Sequence, residues 1–217
     1  LKNSIIVMNS IIIGSGRSSL EYKLGDKIDS FDNIIRFKGF ETQYKKFSEN
    51  LGEKITHLYC NTSKIAINSF YNLYKNDFFE KEFNLNKFTM TVFHKDFLKF
   101  KYYIELTKIQ KKTDLFDFTN PITVVNRMRE ITDVNIENVN YTSGFHAIIS
   151  CLYNNIGTDN ETYIHGFDAI DKNYKHNNNF SHYYEETKTG ISEHHNIGYE
   201  KKIIEYLIKN NFLKTLV

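Results

Sequence analysis

The chain has little of what would mark several common classes of protein. Of its 217 residues one is proline and two are cysteine, and no run approaches the ~18 consecutive apolar residues of a membrane-spanning helix. The apolar opening, LKNSIIVMNSIIIG, is broken by Asn3, Asn9 and Ser10, so it reads as neither a signal peptide nor a span. Cys60 and Cys151 make no metal-ligand spacing and no disulfide framework; each is expected to be a structural thiol in a reducing cytosol. Neither charge sign is in large excess, with 28 basic against 26 acidic side chains and a net charge of +2. That balance disfavours nucleic acid as a partner. There is no internal repeat and no long low-complexity linker; Asn177 to Asn179 is a short polar loop. The single proline and the wealth of Asn, Lys, Ile, Phe and Tyr fit an AT-rich genome, so the many lysines are discounted. The chain begins with Leu1 rather than methionine, and the expectation is a fragment whose anchor or partner domain lies elsewhere.

What is present suits one well-packed domain over residues 1–217, with 41% hydrophobic residues. Ile11-Ile12-Ile13 reads as a β-branched strand that stops at Gly14-Ser15-Gly16, after which LEYKL carries helical propensity. Backbone N–H groups at such a turn favour a phosphate, and a phosphate cradle and a plain structural turn stand level here. Further strands are expected at Asn33 to Phe37, Thr56 to Cys60, Phe88 to His94 and Glu161 to His165, with a last one within Phe212 to Val217. Helices are expected over Asp96 to Lys112, over FHAIISCLYN after the cap residues Thr142 and Ser143, and over Tyr199 to Lys209. Ile122 to Val139 is open between a helix and a short strand. Asn61, Thr142-Ser143-Gly144 and Gly166-Phe167-Asp168 then fall at strand ends or helix starts, where open α/β sheets bind ligands.

The densest gathering of reactive groups is Ser181 to Glu200, SHYYEETKTGISEHHNIGYE. His182, His194 and His195 titrate near neutrality and lie beside Tyr183 and Tyr184, whose hydroxyls can steady a departing anion. A polar surface loop with incidental histidines is the plain alternative, and His146, one turn into its helix, is expected to be a packed histidine. A zinc site from His176, His182, His194 and His195 is disfavoured because no cysteine joins them and the spacing is irregular. Tyr184 and Lys188 match the Tyr-x-x-x-Lys spacing of short-chain dehydrogenases, and Lys38 stands where the ribose-binding acid of an NAD site would be. An NADP-dependent reductase is therefore the rival enzyme. Ser19 replaces the third glycine of a dinucleotide fingerprint, which weakens it.

Four blocks taken in order resemble the sialyltransferases, both glycosyltransferase family 29 and the bacterial family 42. IIIGSGRSSLEYKLGDKIDSFDNIIRFKGF with GEKITH is similar to the long sialyl motif, and TSGFHAII through YIHGFDA to the short motif. HYYE is similar to the third motif, and HNIGYE, His195 to Glu200, to the His-x4-Glu of the very short motif. LYCNTS and GFDA, with Asp168, are closer to family 42. The resemblance implies a single modified Rossmann-like α/β domain of GT-A-variant type, with a mostly parallel central sheet flanked by helices. It implies inverting, metal-independent transfer of sialic acid from CMP-sialic acid to a hydroxyl of an acceptor glycan such as a lipooligosaccharide or capsule, with no cofactor. The absence of any Asp-x-Asp pair agrees with that.

On this reading His195 is the general base, His182 with Tyr183 or Tyr184 meets the phosphate of the leaving CMP, and Glu200 supports the base. Gly14, Ser15, Gly16, Ser18, Lys38 and Asn61 would bind the donor, together with Thr142, Ser143, Gly144, Gly166, Phe167 and Asp168. Two departures stand out: Ser15 and Lys38 replace asparagines of the families. They keep two alternatives open, another CMP-linked sugar acid such as Kdo and a nucleotide-sugar-binding domain that has lost turnover. The eukaryotic cysteine pair is also missing, which favours a bacterial enzyme in the cytoplasm, at the inner face of the membrane if an absent segment anchors it. The expected partners are a nucleotide sugar and an acceptor glycan, with homo-oligomers left open.

Overall fold

Three consecutive isoleucines occupy the middle of the sheet, and their burial on both faces explains why no polar residue alternates with them. The computed structural model describes residues 7–61, 82–83, 87–92, 113–117, 121–139, 141–168 and 196–217. Strand β1 is Ser10–Ile13, and all four residues are buried. It is followed by β2 (Asn33–Phe37), β3 (His57–Asn61), β4 (Lys87–Val92), β5 (Thr113–Asp117), β6 (Thr162–His165) and β7 (Lys214–Thr215). These seven form one sheet in the order β5-β4-β3-β2-β1-β6-β7. Every pairing is parallel, as the expected fold class requires. Fully apolar strands are what a parallel sheet covered on both faces selects.

Successive side chains point to opposite faces. Ile12, Ile35 and Ile164 enter one core with Met128, Phe145, Ile148, Leu152 and Leu207. Ile11, Ile13 and Ile34 enter a second core with Ile28, Leu51 and Leu216. The first is built from helices α3 (Pro121–Thr132), α4 (Ser143–Asn154) and α5 (Ile197–Lys209); the second uses the short helices α1 (Gly25–Asp29) and α2 (Ser48–Leu51). The lone proline stands at the first position of α3, where its missing N–H costs no intrahelical bond. Among the described residues no helix is long and apolar enough to cross a membrane.

Most expected elements form within a residue or two. The stretch Ile122 to Val139 resolves as α3 followed by chain with no regular structure. LEYKL is not helical: a 3-10 turn covers Arg17–Leu20 and α1 starts only at Gly25. The reason is local. Asn50 donates its amide hydrogens to the carbonyls of Leu20 and Tyr22, at 2.8 and 3.1 Å, which takes the acceptors a continuing helix would use. Strand β5 was not expected. The helix expected over Asp96 to Lys112 lies outside the described residues.

Candidate active site

Because the sheet is parallel, the C-terminal ends of its strands share one edge. Gly14 follows β1, Lys38 follows β2, Asn61 ends β3 and Gly166 follows β6. The chain runs outward from β1 through β2 to β5 on one side and places β6 on the other. The β1/β6 boundary is thus the topological switch point, the usual crevice for a ligand in an open α/β sheet.

At that boundary the two loops meet backbone to backbone. The Gly14 N–H donates to the His165 carbonyl at 2.7 Å, and the Gly16 N–H to the Gly166 carbonyl at 2.9 Å. A Cβ on Gly14 would overlap the Gly166 carbonyl. Gly166 has φ +73°, and a Cβ there would sit 2.6 Å from that of Ser19, so glycine is required twice over. Phe167 closes the loop: its ring edge lies where a Cβ on Gly144 would be, 2.9 Å away. Asp168 is buried, and its carboxylate accepts the N–H groups of Arg17 at 2.9 Å and Ser18 at 3.0 Å.

His165, to which sequence reasoning gave no role, is also buried, with Nε2 3.2 Å from the Ser19 carbonyl. A carbonyl only accepts, so Nε2 carries the proton. Burial lowers the pKa of this imidazole and holds it neutral. Its one sequence signal is its place directly before the glycine of the β6 loop.

The start of α4 completes this edge. Thr142 is the cap, its hydroxyl accepting from the Phe145 N–H at 3.2 Å. The same residue is gripped by Glu200 in the first turn of α5: one carboxylate oxygen accepts the Thr142 N–H at 2.6 Å, the other its hydroxyl at 2.7 Å. Burial raises the Glu200 pKa to about 7, against the two bonds from Thr142, which lower it. Glu200, expected to support His195, reaches across to the neighbouring helix. Tyr199 adds a second tie, its hydroxyl accepting the Glu137 N–H at 2.7 Å, while the Tyr141 hydroxyl donates to the Glu137 carbonyl at 2.5 Å. Tyr141 stacks on Phe145 with ring centroids 4.6 Å apart. His146 is buried in this layer, as a packed histidine would be.

Lys38 is half-buried and extends the β2/β3 pairing, its N–H donating to the Tyr59 carbonyl at 2.9 Å. Close by, Glu41 is buried and accepts the Gly39 N–H at 2.8 Å. Burial raises the Glu41 pKa, and the Lys38 charge is among the effects that pull it back. Gly39 has φ +105°, a turn that lets Glu41 fold back beneath it. Arg36, the β2 arginine, is buried rather than turned to the site. It donates to the carbonyls of Lys54 at 2.8 Å and of Leu51, with its guanidinium 4.4 Å from the Phe40 ring centre.

Gly14, Ser15, Gly16, Ser18, Thr142, Ser143, Gly144, Gly166, Phe167 and Asp168 therefore belong to one junction of loops after β1, after β6 and before α4. Asn61 is the last residue of β3; its side chain lies outside the described residues. His182, Tyr183, Tyr184 and His195 lie outside them too, as do His176, Lys188 and His194. His195 immediately precedes Asn196, which caps α5 by accepting the Tyr199 N–H at 3.2 Å.

No curated protein sequence matches this chain. Solved structures do. The sialyltransferase CstII from Campylobacter jejuni, in complex with the substrate analogue CMP-3FNeuAc, is 18% identical over 96% of this chain and 82% of its own, with a TM-score of 0.61. A mammalian sialyltransferase in complex with Gal-beta-1-3GalNAc-ortho-nitrophenol is 15% identical over 97% of this chain and 69% of its own, TM-score 0.57. An apo alpha-2,3-sialyltransferase from Campylobacter jejuni is 18% identical over 100% of this chain and 79% of its own, TM-score 0.56. At these identities the likeness establishes the fold. The family model of glycosyltransferase family 29 (sialyltransferase) matches residues 6–212, and the chain belongs to that family of glycosyltransferases.

Proposed function

We propose that this protein is an inverting, metal-independent sialyltransferase that moves sialic acid from CMP-sialic acid to a hydroxyl of an acceptor glycan. The observation that carries the reading is the match to the sialyltransferase family over residues 6–212. The junction of the β1, β6 and α4 loops at the switch point supports the reading, because open α/β sheets take their ligands at such a crevice. The amides of Ser143 and Gly144 open helix α4, and the positive end of its dipole suits the single phosphate of CMP.

In the proposed step His195 takes the proton from the acceptor hydroxyl. The freed oxygen attacks the anomeric carbon from the face opposite CMP, and the bond from that carbon to the phosphate oxygen breaks. CMP leaves with the electron pair, met by hydrogen bonds from His182 and from Tyr183 or Tyr184. Glu200 is proposed to support His195 from the first turn of the helix that follows it in sequence, where its carboxylate also holds the cap of α4. Lys38 replaces an asparagine of the families and is proposed to pair with the carboxylate of the donor sugar. This would keep an eight- or nine-carbon sugar acid in play.

The test is thermal stabilisation with CMP, CDP, UDP, GDP and NADPH, followed by transfer from CMP-sialic acid to a galactose-terminated glycan. Stabilisation by CMP with transfer is the expected result. Stabilisation by UDP, GDP or NADPH but not by CMP would overturn the reading. CMP binding without transfer of sialic acid would keep the leaving group and redirect the search to another CMP-linked sugar acid or to a domain without turnover.

A further inference from the structure

A glycine turn between a strand and a helical turn usually offers its amides to a phosphate. Here the chain has already used them. The N–H groups of Gly14 and Gly16 donate to the carbonyls of His165 and Gly166. Those of Arg17 and Ser18 converge on the two oxygens of Asp168, at 2.9 and 3.0 Å. Among the described residues only the Ser15 N–H in this run has no acceptor.

Asp168 also explains a glycine that backbone geometry does not. Gly16 has φ −70° and ψ 152°, a conformation open to any residue. A Cβ there would collide first with the Asp168 carboxylate and then with the Gly166 carbonyl, 2.7 Å away. Gly16 lets both the β6-loop carbonyl and an internal anion press against its Cα, and that anion sits where a bound phosphate would otherwise draw on the Arg17 and Ser18 amides.

We propose that Asp168 is a positioning residue: its carboxylate fills the amides of the β1 turn and locks that turn to the β6 loop, leaving the turn a wall of the donor site while the phosphate is held elsewhere. The proposal rests on the reading that a cytidine nucleotide binds at this junction, but only in part, because the lock exists without the nucleotide. Two hydrogen bonds to one buried carboxylate fix both loops at once. Removing the carboxylate frees two amides and lets Ser15 and Phe167 drift from the nucleotide.

Three measurements on the full chain test this. In the wild type, amide hydrogen exchange followed by NMR should find Arg17 and Ser18 protected at least tenfold over Ser15, since both are bonded and Ser15 is not. Asp168→Ala should weaken CMP binding by about tenfold or more, read by calorimetry. Adding 100 mM formate, whose two oxygens can bridge the vacated amides, should recover most of that loss, whereas sodium chloride at equal ionic strength should not. A general loss of structure would not respond to formate. Wild-type amides of Arg17 and Ser18 that exchange as fast as that of Ser15 would overturn the proposal. So would an Ala variant with unchanged CMP affinity, or one whose loss formate repairs no better than chloride. If Asp168→Ala does not fold, Asp168→Asn, which keeps one acceptor and sets an NH2 group against the other amide, should weaken CMP binding similarly; wild-type affinity there would contradict the lock. A wild type that binds no CMP would instead defeat the functional reading, and the exchange measurement would still judge the lock.

Discussion

Glu200 holds Thr142 by both its backbone N–H and its hydroxyl, at 2.6 and 2.7 Å, so one carboxylate joins the first turn of α5 to the cap of α4. The two segments that resemble the very short and short sialyl motifs are therefore mechanically one unit. The Glu200 pKa of about 7 lies above the ordinary 4.5, so the folded chain holds this proton more tightly than the unfolded one. The resulting stability is complete below pH 4.5 and is lost as pH rises through about 7. Glu200→Gln cannot titrate and can keep both contacts by donating its NH2 to the Thr142 hydroxyl. Urea unfolding between pH 5 and 8 should find the variant gaining on the wild type as pH rises, by up to about 3 kcal/mol. A constant difference across that range would contradict the buried, titrating carboxylate. Glu200→Ala, which leaves the Thr142 N–H without its acceptor and titrates no more than glutamine does, should be about 1–3 kcal/mol less stable than Glu200→Gln at every pH in the range.

Glycines separate by what surrounds them. Gly166 and Gly157 have nearly the same φ, +73° and +74°, but a Cβ on Gly166 meets Ser19 and the Gly14 carbonyl while one on Gly157 meets nothing within 4 Å. Gly157→Ala should cost only the strain of the left-handed conformation, about 1 kcal/mol. Gly166→Ala should cost several times that, measured by thermal or urea unfolding. Equal losses would mean the β1/β6 loop contact is not as close as described. Gly198, near the start of α5, also has open space at Cβ; Gly198→Ala should stabilise the chain by about 0.5–1 kcal/mol.

Arg36 predicts a non-conservative response to lysine. Its fork reaches two carbonyls, of Lys54 and Leu51, while its plane lies on Phe40. An ammonium cannot do all three, so Arg36→Lys should lose about 2 kcal/mol in urea unfolding. A loss below about 0.5 kcal/mol would show that the fork is not what joins β2 to the chain after α2.

The strands were legible because Ile11-Ile12-Ile13, NIIRF and THLYC are short β-branched or aromatic runs ended by glycine or polar residues, and burial on both sheet faces leaves that signature. The loops after β1 and β6 were legible as glycine-bearing turns at the C-terminal ends of their strands. Their contents were not. Asp168 and Gly16 are far apart in sequence, and no local pattern tells that the carboxylate lies against that glycine. Glu200 was placed near the first turn of its helix, but a helix position does not reveal that its side chain crosses to Thr142. LEYKL misled because its propensity is helical, while the Asn50 amide that takes two of its carbonyls comes from a later segment. Arg36 was noted only as a landmark before Lys38; its burial depends on the carbonyls of Leu51 and Lys54 lying within reach.

The most direct measurement is the rate of sialic acid transfer from CMP-sialic acid to a galactose-terminated glycan by the wild type and by His195→Ala, with CMP affinity measured on both. The account predicts transfer by the wild type, a loss of about 10²–10⁴-fold in kcat for the variant, and CMP binding unchanged between them. Transfer by His195→Ala at the wild-type rate would contradict it.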